Sequence, residues 1–258
     1  MDFKNKIALV TGAAQGIGAA VVSKLSQYGA TVAALDIDET ALNQLVDSYK
    51  NNCRPVLPFA VDISNSRQVN QAVRQVEAEI GSIDYLVNVA GILRMGDLLS
   101  LSDDDWQATF SVNTTGVFNI SRAVAHHMQQ RCSGSIVMVS SNAASVPRMQ
   151  MGAYAASKAA VTMFAKCLAL ELAAFNIRCN IVSPGSTDTA MQRALWTDDS
   201  GPESVITGSL EHYRLGIPLH KIATPETIAD AVLFLLSDQA NHITMHDLRV
   251  DGGATLGG

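Results

Sequence analysis

At 258 residues and 48% hydrophobic, the chain has enough apolar material for one large α/β domain, or two small ones, with a sizeable core. A formal net charge of −6, an isoelectric point of about 5.4 and scattered Lys and Arg provide no basic stripe for nucleic acid or an anionic membrane surface, so small-molecule partners are expected. Cys53, Cys132, Cys167 and Cys179 have no C-x-x-C spacing and the histidines do not complete a zinc pattern, so reduced thiols and no metal are expected.

Taken in chain order, strand-like runs alternate with helical patterns from end to end: IALVT at 7–11, TVAALD at 31–36, VLPFAVD at 56–62, DYLVN at 84–88, SIVMVSS at 135–141, IRCNIVS at 177–183 and LRVDGG at 248–253. This alternation is that of parallel β-α units. The runs are almost continuously apolar, as strands covered by helices on both faces are. The pattern predicts one domain over 1–258, an α/β doubly wound sheet of about seven parallel strands. The first apolar run, Ile7 to Val10, is far shorter than a secretory h-region, and the longest apolar-rich stretch, Ala153 to Phe175, contains Lys158, Lys166 and Glu171. A cytoplasmic protein without a signal peptide or membrane span is therefore expected.

Between the strands, Ala72, Val73, Val76 and Ile80 form an apolar helical stripe, with Ser66 among its possible starts and Gly81 a plausible stop. Adjacent His126 and His127 diverge by about 100° on a helix, which argues against a shared metal. Near the end, Thr224-Pro225 reads as N-cap then N1 of a helix carrying Ile228, Val232, Leu233 and Leu236. The stretch from Ser186 to Leu219 is longer than ordinary loops, and its Trp196 and Tyr213 favour a substrate lid at about 186–219 over disorder.

Chemistry begins at TGAAQGIGAA, where Gly12, Gly16 and Gly18 follow the first strand and open a helix. Glycines there let the backbone turn, approach a pyrophosphate and aim helix N-terminal amides at it, the dinucleotide site of a Rossmann-type sheet. Asp36 ends the second strand 18 positions after Gly18, where a carboxylate can accept from both ribose hydroxyls and repel a 2′-phosphate; NAD is expected over NADP. Capping of the helix from 38 to 50 is the alternative role for Asp36. The variable loop positions Ala13, Ala14, Gln15 and Ile17 offer no cation to a phosphate.

Tyr154 and Lys158 are spaced i, i+4 and share a helix face, with Ser141 thirteen positions before the tyrosine. Oxidation of a carbinol needs a base, and a tyrosine of pKa about 10 must be assisted. Lys158, helped by a positive nicotinamide, is expected to depress it; three units correspond to roughly 4 kcal/mol. Ser140 is the rival to Ser141.

Together TG-x3-GIG, Asn88-Val89-Ala90-Gly91, Asn113, Ser141, Tyr154-x3-Lys158, Pro184-Gly185 and the terminal VDGG resemble the short-chain dehydrogenase/reductase family over the whole chain. The resemblance implies that Ser141 orients the substrate oxygen, Tyr154 is the acid/base, Lys158 binds the nicotinamide ribose and tunes Tyr154, and Asn113 belongs to a water-linked proton relay. It also implies cofactor contacts by Gln15 and Ile17 in the glycine loop, Ile37 beside Asp36, Asp62 with Ile63 near the adenine, Asn88, Ala90 and Gly91, then Pro184, Gly185 and Thr187. Val89 departs from a commoner asparagine. A homotetramer is the family's usual assembly.

AGILRMG (90–96), VPRMQMGAYAASK (146–158), RCNIVSPGSTDTAMQRALW (178–196), LGIPLHKIATPETIA (215–229) and HITMHDLRVDGGATLGG (242–258) resemble, within the family, members that oxidise a cyclohexadiene diol carboxylate to a catechol for siderophores. A carboxylate asks for an arginine fork. Arg148, in the loop before Tyr154, is the first candidate, with Arg94 and Arg193 behind it; Met191 and Trp196 are candidates to cover the ring. A 3-oxoacyl thioester reductase, a sugar dehydrogenase and a catalytically inactive nucleotide-binding regulator remain alternatives.

Overall fold

The computed structural model describes residues 1–49, 55–196 and 201–257. Cys53 and positions 197–200 of the expected lid lie outside the described residues. Seven strands form one parallel sheet: β1 (Ile7–Thr11), β2 (Thr31–Asp36), β3 (Val56–Ala60), β4 (Tyr85–Asn88), β5 (Gly134–Val139), β6 (Ile177–Pro184) and β9 (Asp247–Val250), in the order β3-β2-β1-β4-β5-β6-β9. The strand order reverses beside β1, which pairs β2 on one side and β4 on the other. Ligands bind outside the carboxyl ends of the strands at such a point.

The apolar strand runs are explained by the two layers that cover them. Val10, Val32 and Val137 face one core with Val21 and Leu25 of α1 (Gly16–Gln27) and Val232 and Leu236 of α9 (Pro225–Leu236). Leu9, Ala33 and Ile136, their immediate neighbours, face the opposite core with Val73 of α3 (Ser66–Gln75), Ile120 and Val124 of α5 (Val117–Arg131) and Ala165 and Ala169 of α6 (Gly152–Leu172). Alternate strand residues point to opposite faces, and both faces are covered, so both must be apolar.

Local signals place the helix ends. Asn65, rather than Ser66, caps α3 by accepting from the amides of Arg67 and Gln68, and a wider turn at Val76–Ile80 carries the chain to Gly81 at φ 130°. Asp38 caps α2 (Glu39–Asp47), and Thr224 caps α9 with Pro225 in its first turn. The carbonyls left open at the other end of α9 accept from Arg178 of β6, whose guanidinium reaches Leu235, Leu236 and Ser237 at 2.5–3.2 Å. No helix among the described residues is long and apolar enough to cross a membrane.

Strand ends differ from the sequence expectation where the chain turns toward the sheet's carboxyl edge. β3 stops at Ala60, β5 at Val139 and β9 at Val250, leaving Asp62, Ser141 and Asp251 in turns rather than in the ladder. The described residues of the 186–219 stretch also form regular elements. It holds α7 (Ala190–Arg193), α8 (Glu203–Thr207) and a two-stranded antiparallel pair, β7 (Gly208–Ser209) with β8 (Arg214–Leu215). Val205 and Ile217 form a small separate core with Ala254. Elements of two to five residues are too short to show periodicity in a sequence.

Candidate active site

The first part of the site is made by backbone geometry. Gly12 sits at φ +64°, and a Cβ there would lie 2.7 Å from the Ala90 Cα. At Gly18 a Cβ would lie 1.9 Å from the Gly12 carbonyl, so only glycine lets α1 pack onto its loop. Thr11 Oγ1 accepts from the amides of Val89 and Ala90 at 3.1 and 3.2 Å, tying the ends of β1 and β4 together. The N-terminus of α1 has neither a side-chain cap nor an acidic residue in its first turn, which leaves its amides and positive helix end open to an anion.

Asp36 accepts from the Ala14 amide at 2.9 Å and the Asp38 amide at 3.0 Å. It therefore braces the glycine loop instead of capping α2, which Asp38 caps. A carboxylate has about four acceptor positions, so about two remain for ribose hydroxyls. Asp62 Oδ1 is taken by the amide and hydroxyl of Ser64, and its other oxygen has no partner among the described residues.

The second part of the site is carried by β5, β6 and α6. Ser141 is extended, just past β5, and its Oγ accepts from the Ala143 amide at 3.1 Å. Ser140 is settled elsewhere, its hydroxyl bonded to the Lys158 carbonyl and Thr162. Tyr154 and Lys158 lie one turn apart on α6, with Lys158 Nζ 5.8 Å from the Tyr154 ring centre and donating to the Val139 carbonyl at 3.0 Å. Burial pushes the Tyr154 phenol up, an effect the Ser141 hydrogen bond partly reverses, and pushes Lys158 down to about 8. The expected depression of Tyr154 by Lys158 is thus not what the chain alone produces: desolvation dominates, Ser141 rather than Lys158 supplies the opposing effect, and both groups are held toward their neutral forms.

Asn113 is fully buried in a wide helical turn, Ser111–Gly116. Its Oδ1 accepts from the Ile92 amide at 2.8 Å, and its Nδ2 donates to the Ile92 carbonyl and Ser157 Oγ.

The glycine loop, Asp36, Asp62, Ser141, Tyr154 and Lys158 border a single cavity of about 430 Å³ running along the carboxyl edge of the sheet. Of the residues singled out in the sequence, Gly12, Gln15, Gly16, Ile17, Asp36, Ile37, Asp62, Ile63, Ala90 and Gly91 line its β2–β4 side, and Ser141, Arg148, Tyr154, Lys158, Pro184, Gly185, Thr187 and Met191 its β5–β6 side. Gly18, Asn88 and Asn113 stand behind the wall. The Asn88 side chain turns under α5 to Ser121, at 3.0 Å.

Two of the three arginines also point away. Arg94 is exposed beside Asp105, 3.6 Å away. Arg193 is exposed and forked onto Asp188 at 2.6 and 2.9 Å. On the short helix α7, position 193 lies about 200° round from Met191, so the residues that face the cavity with Met191 are Gln192 and Leu195, and Trp196 does not. Arg148 is half-buried and faces the cavity.

A model of the family described as short chain dehydrogenase matches residues 6–200. This chain belongs to the short-chain dehydrogenase family. It is 59% identical over 254 residues to 2,3-dihydro-2,3-dihydroxybenzoate dehydrogenase of Bacillus subtilis (strain 168), covering 98% of this chain and 97% of the relative. It is 46% identical over 257 residues to the enzyme of that name in Escherichia coli (strain K12), covering 100% of both. Among solved structures it resembles the 3-ketoacyl-(acyl-carrier-protein) reductase from Brucella melitensis complexed with NADH, at TM-score 0.87 and 28% identity over 98% of this chain and 100% of that one.

The short-chain dehydrogenase also places residues at the cavity that sequence reading passed over. Arg214 of β8 reaches its β6 side, donating to Ser186 Oγ at 3.0 Å. Nothing local marks Arg214, which is brought in by the β7–β8 turn. Gln192 lines the cavity with a buried Nε2 that has no partner among the described residues. Asp251 of the terminal VDGG lies near Arg148; burial opposes its charge, but hydrogen bonds from Thr255, Asn142 and Gly253 outweigh that and hold its pKa below the usual value. Of the described cysteines, Cys179 is buried, its thiol pushed up to about 12 by burial, while Cys132 and Cys167 are exposed and unpaired. Among the described residues no group of three or more His, Cys, Asp or Glu is arranged to hold a metal.

Proposed function

We propose that this chain oxidises 2,3-dihydro-2,3-dihydroxybenzoate to 2,3-dihydroxybenzoate with NAD, in the synthesis of catechol siderophores. The observation that carries the reading is 59% identity along essentially the whole chain to a dehydrogenase named for that substrate. The cavity fits it, with Asp36 at one end, Ser141 and Tyr154 at the other, and a cation, Arg148, beside the latter.

The glycine loop, the open N-terminus of α1, Asp36 and Asp62 would hold the dinucleotide, and the free acceptor positions on Asp36 favour NAD by excluding a 2′-phosphate. Bound there, the dinucleotide would supply a hydride acceptor for C3 of the diol and a positive ring beside Tyr154. Ser141 holds the C3 oxygen, and Tyr154 removes its proton as the C–H bond breaks, leaving a ketone. Lys158 uses one of its three N–H groups on the Val139 carbonyl and keeps two for the nicotinamide ribose. Asn113 has one lone pair left on Oδ1 for a relay water, its other positions being used on Ile92 and Ser157. Arg148 takes the carboxylate, and Met191 with Thr187 closes the nicotinamide end. The dienone then tautomerises to the catechol, and aromaticity makes reversal strongly uphill.

The same reading makes the protein a cytoplasmic homotetramer. The exposed apolar side chains Met163 and Leu170, seven residues apart on one face of α6, support a packed interface there. The test is to offer purified protein NAD or NADP with the diol acid, 3-oxoacyl thioesters or sugar alcohols. Turnover of the acid with NAD is expected; none with the acid, but turnover of thioesters or sugars, overturns the reading.

A further inference from the structure

We infer that Arg214, on the β7–β8 turn, is a second arm of the carboxylate seat: it joins Arg148 in gripping an aromatic-type acid and sets the preference for acids over neutral diols. The inference rests on the proposed reaction and adds a specificity residue to it.

The two arginines arrive from different parts of the chain. Arg148 lies in the loop between Ser141 and Tyr154, while Arg214 is tied through Ser186 to the end of β6. Both guanidinium groups are half-buried, and both line the one cavity. Among the described residues neither makes an ion pair, in contrast to Arg94, Arg131 and Arg193, each of which meets a carboxylate within 4 Å. The two charges are close enough to repel. Burial first, then Arg148, lowers the Arg214 pKa, and burial lowers that of Arg148 although Asp251 opposes it. Half-buried like charges facing one space are relieved by an anion between them, and a planar carboxylate offers two oxygens to two forks.

Position identifies which anion. Asp36 ends β2, and the arginines stand at β5 and β6, up to four strand positions along the sheet, roughly 19 Å at 4.8 Å per strand. That distance removes them from the adenosine ribose and puts them on the Ser141–Tyr154 side, where the reacting ring sits. The cofactor's pyrophosphate, nearer the glycine loop, is the remaining rival, and the kinetics of NAD separate it.

The experiment compares the full-length protein with Arg214→Gln and Arg214→Lys. Kd values for 2,3-dihydroxybenzoate and for catechol, which lacks the carboxylate, are measured by calorimetry with NAD present, alongside KM for NAD and for the diol acid. Arg214→Gln is expected to weaken 2,3-dihydroxybenzoate about 10- to 100-fold and to raise KM for the acid in step, with catechol binding and KM for NAD unchanged. Arg214→Lys should recover part of the loss. An unchanged Kd for the acid, an equal loss for acid and catechol, or a rise confined to NAD overturns the inference. Failure of the reaction itself shows separately, as absence of turnover in the unsubstituted protein that still binds the two ligands with a carboxylate-dependent difference.

Discussion

At the scale of single residues, the cavity presents two groups in conflict with their surroundings. Tyr154 and Lys158 are both held toward neutrality by burial. Tyr154→Phe keeps the ring and removes the proposed base, so kcat should fall by about 10²- to 10⁴-fold with KM for NAD little changed; a variant with full turnover would remove Tyr154 from the chemistry. For Lys158 the consequence is thermodynamic. Below about pH 8 it is charged in both folded and unfolded chains, and the fold bears the cost of burying that charge. Between about 8 and its ordinary 10.5 only the unfolded chain holds the proton, so stability rises with pH by about 3 kcal/mol in total from this group. Tyr154, pushed above its ordinary 10.0, works in the opposite direction only at and above that value. Lys158→Met should therefore be more stable than the parent at neutral pH, with the difference shrinking as pH approaches 10 in denaturant titrations. A gap that does not narrow contradicts the assignment.

At the scale of elements, the glycine loop and the insert after β6 set the two halves of the site. The loop was legible because its glycines are spaced and placed as the phosphate cradle requires, and Thr224-Pro225 was legible because capping chemistry is local. The insert was not. Arg193 looks as eligible as Arg148 in a string of residues, and only the turn of α7 sends it outward to Asp188. Arg214 enters through a two-strand turn whose core, Val205, Ile217 and Ala254, joins residues far apart in sequence. Ile217→Ala should loosen that small core at a cost of about 2–5 kcal/mol locally, raise KM for the diol acid and leave KM for NAD near its original value. An equal rise in both constants would show that the insert serves the whole cavity rather than the substrate half.

At the scale of the whole molecule, one sheet lines the whole cavity along a single edge. Strand order brings the ends of β2, β1, β4, β5 and β6 side by side, so a ligand lying across them meets Asp36 first and Tyr154 later. The continuous apolar strands announced this architecture, because a sheet covered on both faces leaves no room for polar alternation. The side-chain traffic behind the wall was hidden: Asn88 turns to Ser121, and Asn113 makes two of its three hydrogen bonds to Ile92 and the third to Ser157. Purified protein, NAD and 2,3-dihydro-2,3-dihydroxybenzoate should yield NADH and 2,3-dihydroxybenzoate in equal amounts, with no measurable reversal when the products are mixed. NADH without the catechol, or no NADH from this acid while another alcohol is oxidised, would contradict the proposed reaction.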